Sequence, residues 1–403
     1  MAPALPGGVP WTALAHRGVA GFGGNVTAAP QASNLRPVET IAPPEILAEL
    51  RHGVLGQDAA LRYVSVAIYK HASGRVSGNL LLIGNSGTGK TTIINNIQRL
   101  YREIPEYHPL RVMTIINANL LVDSDRMEFR PERLFNALEQ RARAVIGHDP
   151  TIDELKSVME RATICIDEVD KMSGVIAGKP NALGVVLQQG LLTLMEGDIV
   201  PYSAHVVEDG VERVRSLELD TSGMMFICAG AFEGLWDQVY LRVTTPGSGE
   251  KLKSTAMRTA DGQVRIETRF ALGDYFKIED LFVFGMVPQF TARFDNVVLL
   301  SDLGVDVLRE ILLKSVDSPF VRSRQYFRVM GIELEIEDLA ASLIAEQAEK
   351  HSRTGARALR TIYGRIVNPL EYDPTSYGEL APLPDGRQRL AITASQVRQT
   401  LGL

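Results

Sequence analysis

The chain has 403 residues, 45% of them hydrophobic, and a formal net charge of −6. That length fits two or three domains, and that apolar content supplies a real core. The charge balance does not favour nucleic acid or an anionic membrane as partner, and no run of about 18 uninterrupted apolar residues marks a membrane span.

There are two cysteines, Cys165 and Cys228, each inside an apolar run. They read as small core residues, with no disulfide framework and no zinc spacing. The N-terminus lacks a basic segment followed by an apolar core, so no secretory signal is expected and the location expected is cytoplasmic. Residues 1 to about 43 are rich in Gly, Ala and Pro and read as a flexible arm. Trp11 and Phe22 are either docking anchors within it or part of a disordered segment.

Glu45 to Leu50 is amphipathic and predicts a short helix. A second helix is expected from about Ala59 to His71, with Val64, Val66, Ala67 and Ile68 on its apolar face. After Ser77, Leu80 to Ile83 reads as a buried parallel strand. Gly84-Asn85-Ser86-Gly87-Thr88-Gly89-Lys90-Thr91 then fits the phosphate-binding loop, and Thr92 continues into a helix. That helix should bury Ile93, Ile94, Ile97, Leu100 and Tyr101. Strand, Gly-rich loop and helix come in the order that phosphate chemistry needs. The glycines let backbone N–H groups close around a phosphate, and the helix N-terminus adds partial positive charge. Lys90 would reach the β- and γ-phosphates of ATP, and the Thr91 hydroxyl would hold Mg²⁺.

Val112 to Ile116 predicts a second buried strand, and Arg130 to Val145 a helix with Leu134, Leu138 and Ala142 inward. Ala162 to Ile166 is a strand that ends in Asp167 and Glu168. Such a pair is either a helix N-cap or part of a site at the carboxyl ends of a parallel sheet. Beside a phosphate loop, Asp167 suits Mg²⁺ and Glu168 suits polarising the attacking water. Asn181 to Glu196 predicts a helix, and Met224 to Cys228 a fourth strand. Residues 244–276 show no period and read as a long loop. Val297 to Leu300 is a fifth strand. Beyond Ser301 a second unit is expected. It holds helices over Val305 to Val316, Asp338 to Glu349 and Ala356 to Val367, and strands over Ile332 to Ile336 and Gln388 to Ile392, and Thr393 starts a last helix. Leu339, Leu343 and Ile344 should face inward.

Several segments together resemble AAA+ ATPases of the ClpX type. They are Val54-Leu55-Gly56-Gln57, the phosphate loop (Walker A) and Ile166-Asp167-Glu168-Val169-Asp170-Lys171-Met172 (Walker B). Gln188 to Gly197, Leu219 to Phe232, Gln289 to Arg293 and Ser352 to Arg360 extend the resemblance, which runs from about residue 44 to 403. It implies an α/β P-loop module over residues 44–300, with helices flanking a parallel sheet, and a smaller, mainly helical lid over 301–403. It also implies a homo-hexameric ring with ATP between subunits. Arg293 would be the finger donated to a neighbour's γ-phosphate and Arg357 the in-chain sensor, with Arg353 and Arg360 as alternatives to it. Leu55 would contact adenine.

The departures matter too. The sequence contains no four-cysteine zinc module. At the pore-loop position the chain reads Asp125-Arg126-Met127-Glu128, then Phe129, without the family's Gly-aromatic-hydrophobic-Gly pattern. Met127 and Phe129 either contact one specific partner, or Phe129 packs under the next helix. Gly247 to Leu252 carries no Ile-Gly-Phe, so a ClpP-type peptidase partner is not expected. No sensor Asn is evident at Ala229 and Gly230. The expectation is an ATP-hydrolysing remodeller of a dedicated protein partner. A nucleotide-gated assembly scaffold is the alternative, and a nucleic-acid motor is disfavoured.

Overall fold

The computed structural model describes residues 41–403 apart from 76–77, 148, 209–210, 259–263, 269 and 352–354. Most of the expected arm, including Trp11 and Phe22, lies outside the described residues, as do Ser77 and Arg353.

Helices α1 (Pro43–Arg51) and α2 (Asp58–Ala72) lead into strand β1 (Asn79–Ile83), and α3 (Lys90–Glu103) follows the Gly-rich loop. All five residues assigned to the inner face of α3 are buried. Each such side chain contributes about 1.5–3 kcal/mol relative to exposure. Next come β2 (Met113–Asn117), the short pair β3 (Val122–Asp123) and β4 (Glu128–Phe129), α4 (Pro131–Ile146), α5 (Ile152–Met159) and β5 (Thr163–Asp167). Another short pair, β6 (Val175–Ile176) and β7 (Lys179–Pro180), precedes α6 (Ala182–Met195). A hairpin of two ten-residue strands, β8 (Ile199–Glu208) and β9 (Val211–Asp220), precedes β10 (Met225–Gly230) and α7 (Leu235–Thr244). A smaller hairpin, β11 (Ser254–Arg258) and β12 (Val264–Thr268), and short helices α8 (Leu272–Tyr275), α9 (Ile278–Phe284) and α10 (Pro288–Thr291) precede β13 (Phe294–Leu299).

Five strands form one parallel sheet in the order β13-β1-β10-β5-β2. Side chains alternate between its faces. Leu80 and Leu82 therefore join a core with α1, α2 and α3, while Leu81 and Ile83 join another with α4, α5 and α6. Cys165 lies in the first core and Cys228 in the second, both as free thiols. Because the strands are parallel, Ile83, Gly230, Asp167 and Asn117 end at one edge of the sheet. This edge is where such folds bind ligands.

The remaining elements are α11 (Val305–Lys314), α12 (Pro319–Val329), β14 (Ile332–Ile336), α13 (Asp338–Glu349), α14 (Ala356–Tyr372), α15 (Pro374–Tyr377), β15 (Leu380–Pro382), β16 (Gln388–Ile392) and α16 (Ala394–Leu401). They close over a third core, from Leu303 to Val397, around the small sheet β14-β16-β15.

Four expectations need correction. Val66 is 43% exposed, and α2 instead turns Ala60, Leu61, Val64, Ala67 and Ile68 inward. Leu339 is 51% exposed, because Ala340, Ala341, Ile344, Ala345 and Ala348 form the buried stripe of α13. The β2 strand lies at the sheet edge, so Ile115 is 41% exposed rather than buried. Residues 244–276 contain the β11–β12 ladder and α8 rather than a plain loop. A two-stranded ladder forms by backbone pairing without a continuous apolar run, and so the polar composition concealed it.

Candidate active site

The loop after β1 is built for a negatively charged guest. Gly87 and Gly89 adopt φ values of 78° and 108°, a region that only glycine enters freely. Thr88 is buried, and its hydroxyl donates to the Asn85 carbonyl at 2.8 Å, which tightens the turn. Lys90 is the first residue of α3, and its ammonium donates to the carbonyls of Gly84 and of Asn85, the latter at 3.0 Å. Burial lowers the Lys90 pKa below its usual range. Asp167 and Asp170 oppose that shift and Arg357 adds to it, so all three lie within electrostatic reach of the ammonium. Thr91 and Thr92 are exposed at the start of α3, and Leu55 is half-buried before α2.

Strand β5 ends at Asp167, and Glu168 follows in the left-handed region at φ 58°. The Asp167 carboxylate accepts from the Glu168 amide at 2.8 Å, which stabilises this turn. Asn117, at the end of the neighbouring β2, donates its side-chain amide to the Glu168 carboxylate at 2.6 Å. Asp170 is half-buried, and burial raises its carboxyl pKa above the usual range. It accepts from the Ala231 amide at 3.2 Å, just past β10. Asp170 thus supplies an acid beside the strand end where no sensor Asn is evident. Asn117, Asp170 and the buried Gln57 had no role assigned from sequence. The signal for Asn117 is a polar residue closing an apolar strand run.

Arg293 is not part of this cluster. Its carbonyl accepts from the Asn79 side chain at 3.1 Å, and Asn79 pairs with Phe294 at the start of β1. The phosphate loop leaves the other end of that five-residue strand, about 15 Å away at 3.3 Å per residue. Within its own chain the Arg293 guanidinium pairs with Glu196, and both groups are part-exposed. Arg357 is on the correct side. It lies in the first turn of α14, whose Ala356 amide donates to the Gly87 carbonyl at 3.0 Å.

The β3–β4 turn separates two residues that the sequence treats together. Met127 sits at φ 54° and is 43% exposed. Phe129 packs against the second core, and its ring fills the space that a Cβ on Gly190 would occupy, 2.2 Å from Cγ. Phe129 is therefore partly buried against α6 and has a packing role there.

A parallel five-stranded sheet with a glycine-rich phosphate loop at one strand end and an acidic pair two strands away defines a P-loop ATPase of AAA+ architecture. The family profile "ATPase family associated with various cellular activities (AAA)" matches residues 80–235, from β1 to the start of α7. The chain is similar to ClpX proteins. It is 27% identical over 388 residues to the "ATP-dependent Clp protease ATP-binding subunit ClpX" of Bacteroides thetaiotaomicron, spanning 92% of this chain and 84% of that one. Proteins of the same name from two strains of Porphyromonas gingivalis are 27% identical over 352 residues, covering 84% of this chain and 79% of theirs. Because these relatives are named as subunits of a protease, the expectation of no peptidase partner gains no support from them. Among the described residues, no helix is long and apolar enough to cross a membrane.

Proposed function

We propose that the chain hydrolyses ATP in a homo-hexameric ring and uses that turnover to remodel a dedicated protein partner. The observation that carries this reading is the meeting of Lys90 with Asp167 and Asp170, with Glu168 directly after Asp167, at one edge of a parallel sheet. A cation for phosphate and acids for metal and water are then grouped where the fold binds ligands. The exposed Thr91 hydroxyl and the Asp167 carboxylate are the groups that would hold Mg²⁺. Bound there, Mg²⁺ supplies charge neutralisation at the phosphoryl oxygens.

In this reading the backbone N–H groups of residues 84–91 and the Lys90 ammonium bind the phosphates, and Leu55 lines the base. Glu168 orients and deprotonates the attacking water. Arg357 reads the phosphates from α14. Arg293 lies at the far end of β1 from its own loop, and this favours a role at a neighbour's site. Residues 44–300 act as the nucleotide-binding domain and 301–403 as the lid, a division supported by the separate core that begins at Leu303. Exposed Met127, between Arg126 and Glu128, is the remaining candidate for partner contact at the pore.

A tagged Glu168→Gln protein, incubated with ATP and analysed by native mass spectrometry, tests the reading. The expected species is a hexamer that retains ATP and co-purifies with a protein released when ATP is removed. A monomer that keeps ATP and retains no protein contradicts the ring motor.

A further inference from the structure

One buried side chain ties the phosphate loop to the connector that leaves the sheet. Gln57, 3% exposed, donates through Nε2 to the Thr88 carbonyl at 2.9 Å and to the Ser301 carbonyl at 2.8 Å. Its Oε1 accepts from the Ser301 amide at 3.1 Å. Both amide hydrogens are thus committed, one to the loop and one to the connector. A buried amide that lost either partner would be left with an uncompensated polar group, so the two partners are held together.

The link has a direction. In a trans peptide the carbonyl and the next N–H point opposite ways. With the Thr88 carbonyl on Gln57, the Gly89 N–H faces away from Gln57. A phosphate that drew on that N–H would rotate the same peptide and pull on the amide behind it. The other end of that amide holds Ser301, two residues before Leu303, where the third core begins. A parallel, exposed bond runs from the Asn85 side chain to Asp302 at 2.9 Å.

We propose that Gln57 is a positioning residue that couples the phosphate loop to the 300–302 connector, so that nucleotide binding is passed on as a change in the orientation of residues 303–403. This rests on the nucleotide reading above. The Gln57 side chain bonds to backbone groups of the loop and connector and takes no part in the chemical step.

The test uses the full chain with labels at Tyr63→Cys on α2 and Tyr326→Cys on α12, which are 51% and 48% exposed, while both natural cysteines are buried. Pulsed electron spin resonance reads the distance with and without ATP, in a Glu168→Gln background that holds the nucleotide. Otherwise unsubstituted protein is expected to shift. Gln57→Met is expected to lose at least about half of that shift while its Kd for ATP stays within about fivefold. In the hydrolysing chain Gln57→Met should lower kcat by about tenfold or more, with KM little changed.

A full shift in Gln57→Met overturns the proposal, and so does the absence of a shift in the unsubstituted chain. Weakened ATP binding with normal kcat at saturation also overturns it, because Gln57 would then serve binding alone. If Gln57→Met does not fold, Gln57→Glu keeps the size and the acceptor for the Ser301 amide but removes both donors, and the same outcomes apply. If unsubstituted protein binds and hydrolyses ATP and these readouts fail, only the coupling falls. If it binds no ATP, the nucleotide reading falls as well.

Discussion

The Asn117 side chain donates to the Glu168 carboxylate at 2.6 Å, joining the ends of β2 and β5. This bond satisfies the carboxylate inside the protein and competes with its bonding to water. Asn117→Ala should therefore leave ATP affinity unchanged and raise basal kcat about two- to fivefold, the effect of roughly 0.5–1 kcal/mol for one part-exposed hydrogen bond. A fall in kcat would mean that Asn117 aims Glu168 at its water rather than restraining it.

Phe129 and Met127 should behave differently on truncation. Phe129→Ala removes a ring packed between the β3–β4 turn and Gly190, and should cost about 1–3 kcal/mol because the site is only partly buried. Met127→Ala should leave the unfolding free energy within about 0.5 kcal/mol of wild type. Chemical denaturation of both variants decides this, and equal, small effects would remove Phe129 from the core.

His71 sets a pH dependence of stability. It is 3% exposed on α2, and its Nε2 has no partner. Burial, reinforced by the Arg161 charge and opposed by the ring's hydrogen bond to the Arg161 backbone carbonyl, pulls its pKa from 6.5 to about 4. Since the folded value lies below the unfolded one, the unfolded chain takes up the proton first. The stability contribution is complete above pH 6.5 and is lost as the pH falls towards 4. A shift of that size is worth at most about 3 kcal/mol. His71→Met should flatten the curve across this window relative to wild type, as read by urea unfolding at several pH values. Parallel curves would refute the assignment.

Most of the strands and the phosphate loop were legible because each buried parallel strand is a short apolar run and the loop has fixed spacing. Thus Leu80 to Ile83 and Ile164 to Ile166 could be placed directly, and with them Lys90, Asp167 and Glu168. The β8–β9 hairpin was not foreseen. Only residues such as Tyr202, Ala204 and Leu217 face the core, so its apolar signal is thin. Helix α5 was also missed, although Thr151 and Glu154 form a capping box that announces it. Edge or centre position, which decides the exposure of Ile115, is not encoded in a strand's own residues. The links made by Gln57 and Asn117 join positions far apart in sequence, so spacing cannot reveal them.

Arg293 should act across a subunit boundary. Arg293→Ala is expected to bind ATP normally and to lose about 100-fold or more in kcat. Mixing it with Lys90→Ala subunits should restore part of the activity, since the latter lend an intact arginine to neighbours with intact loops. Rings demonstrably mixed yet inactive would contradict a role in trans.

If one site binds ATP through Lys90 and hydrolyses it through Glu168, the two steps should separate on substitution. The most direct measurement is the ATP dissociation constant and the steady-state phosphate release of the wild type, Lys90→Ala and Glu168→Gln, made on the same preparations. Wild-type turnover is expected, with binding lost in Lys90→Ala. In Glu168→Gln, binding should be retained within about threefold and kcat lowered by about 100-fold or more. Wild-type phosphate release from Glu168→Gln, or unchanged ATP affinity in Lys90→Ala, would contradict the account.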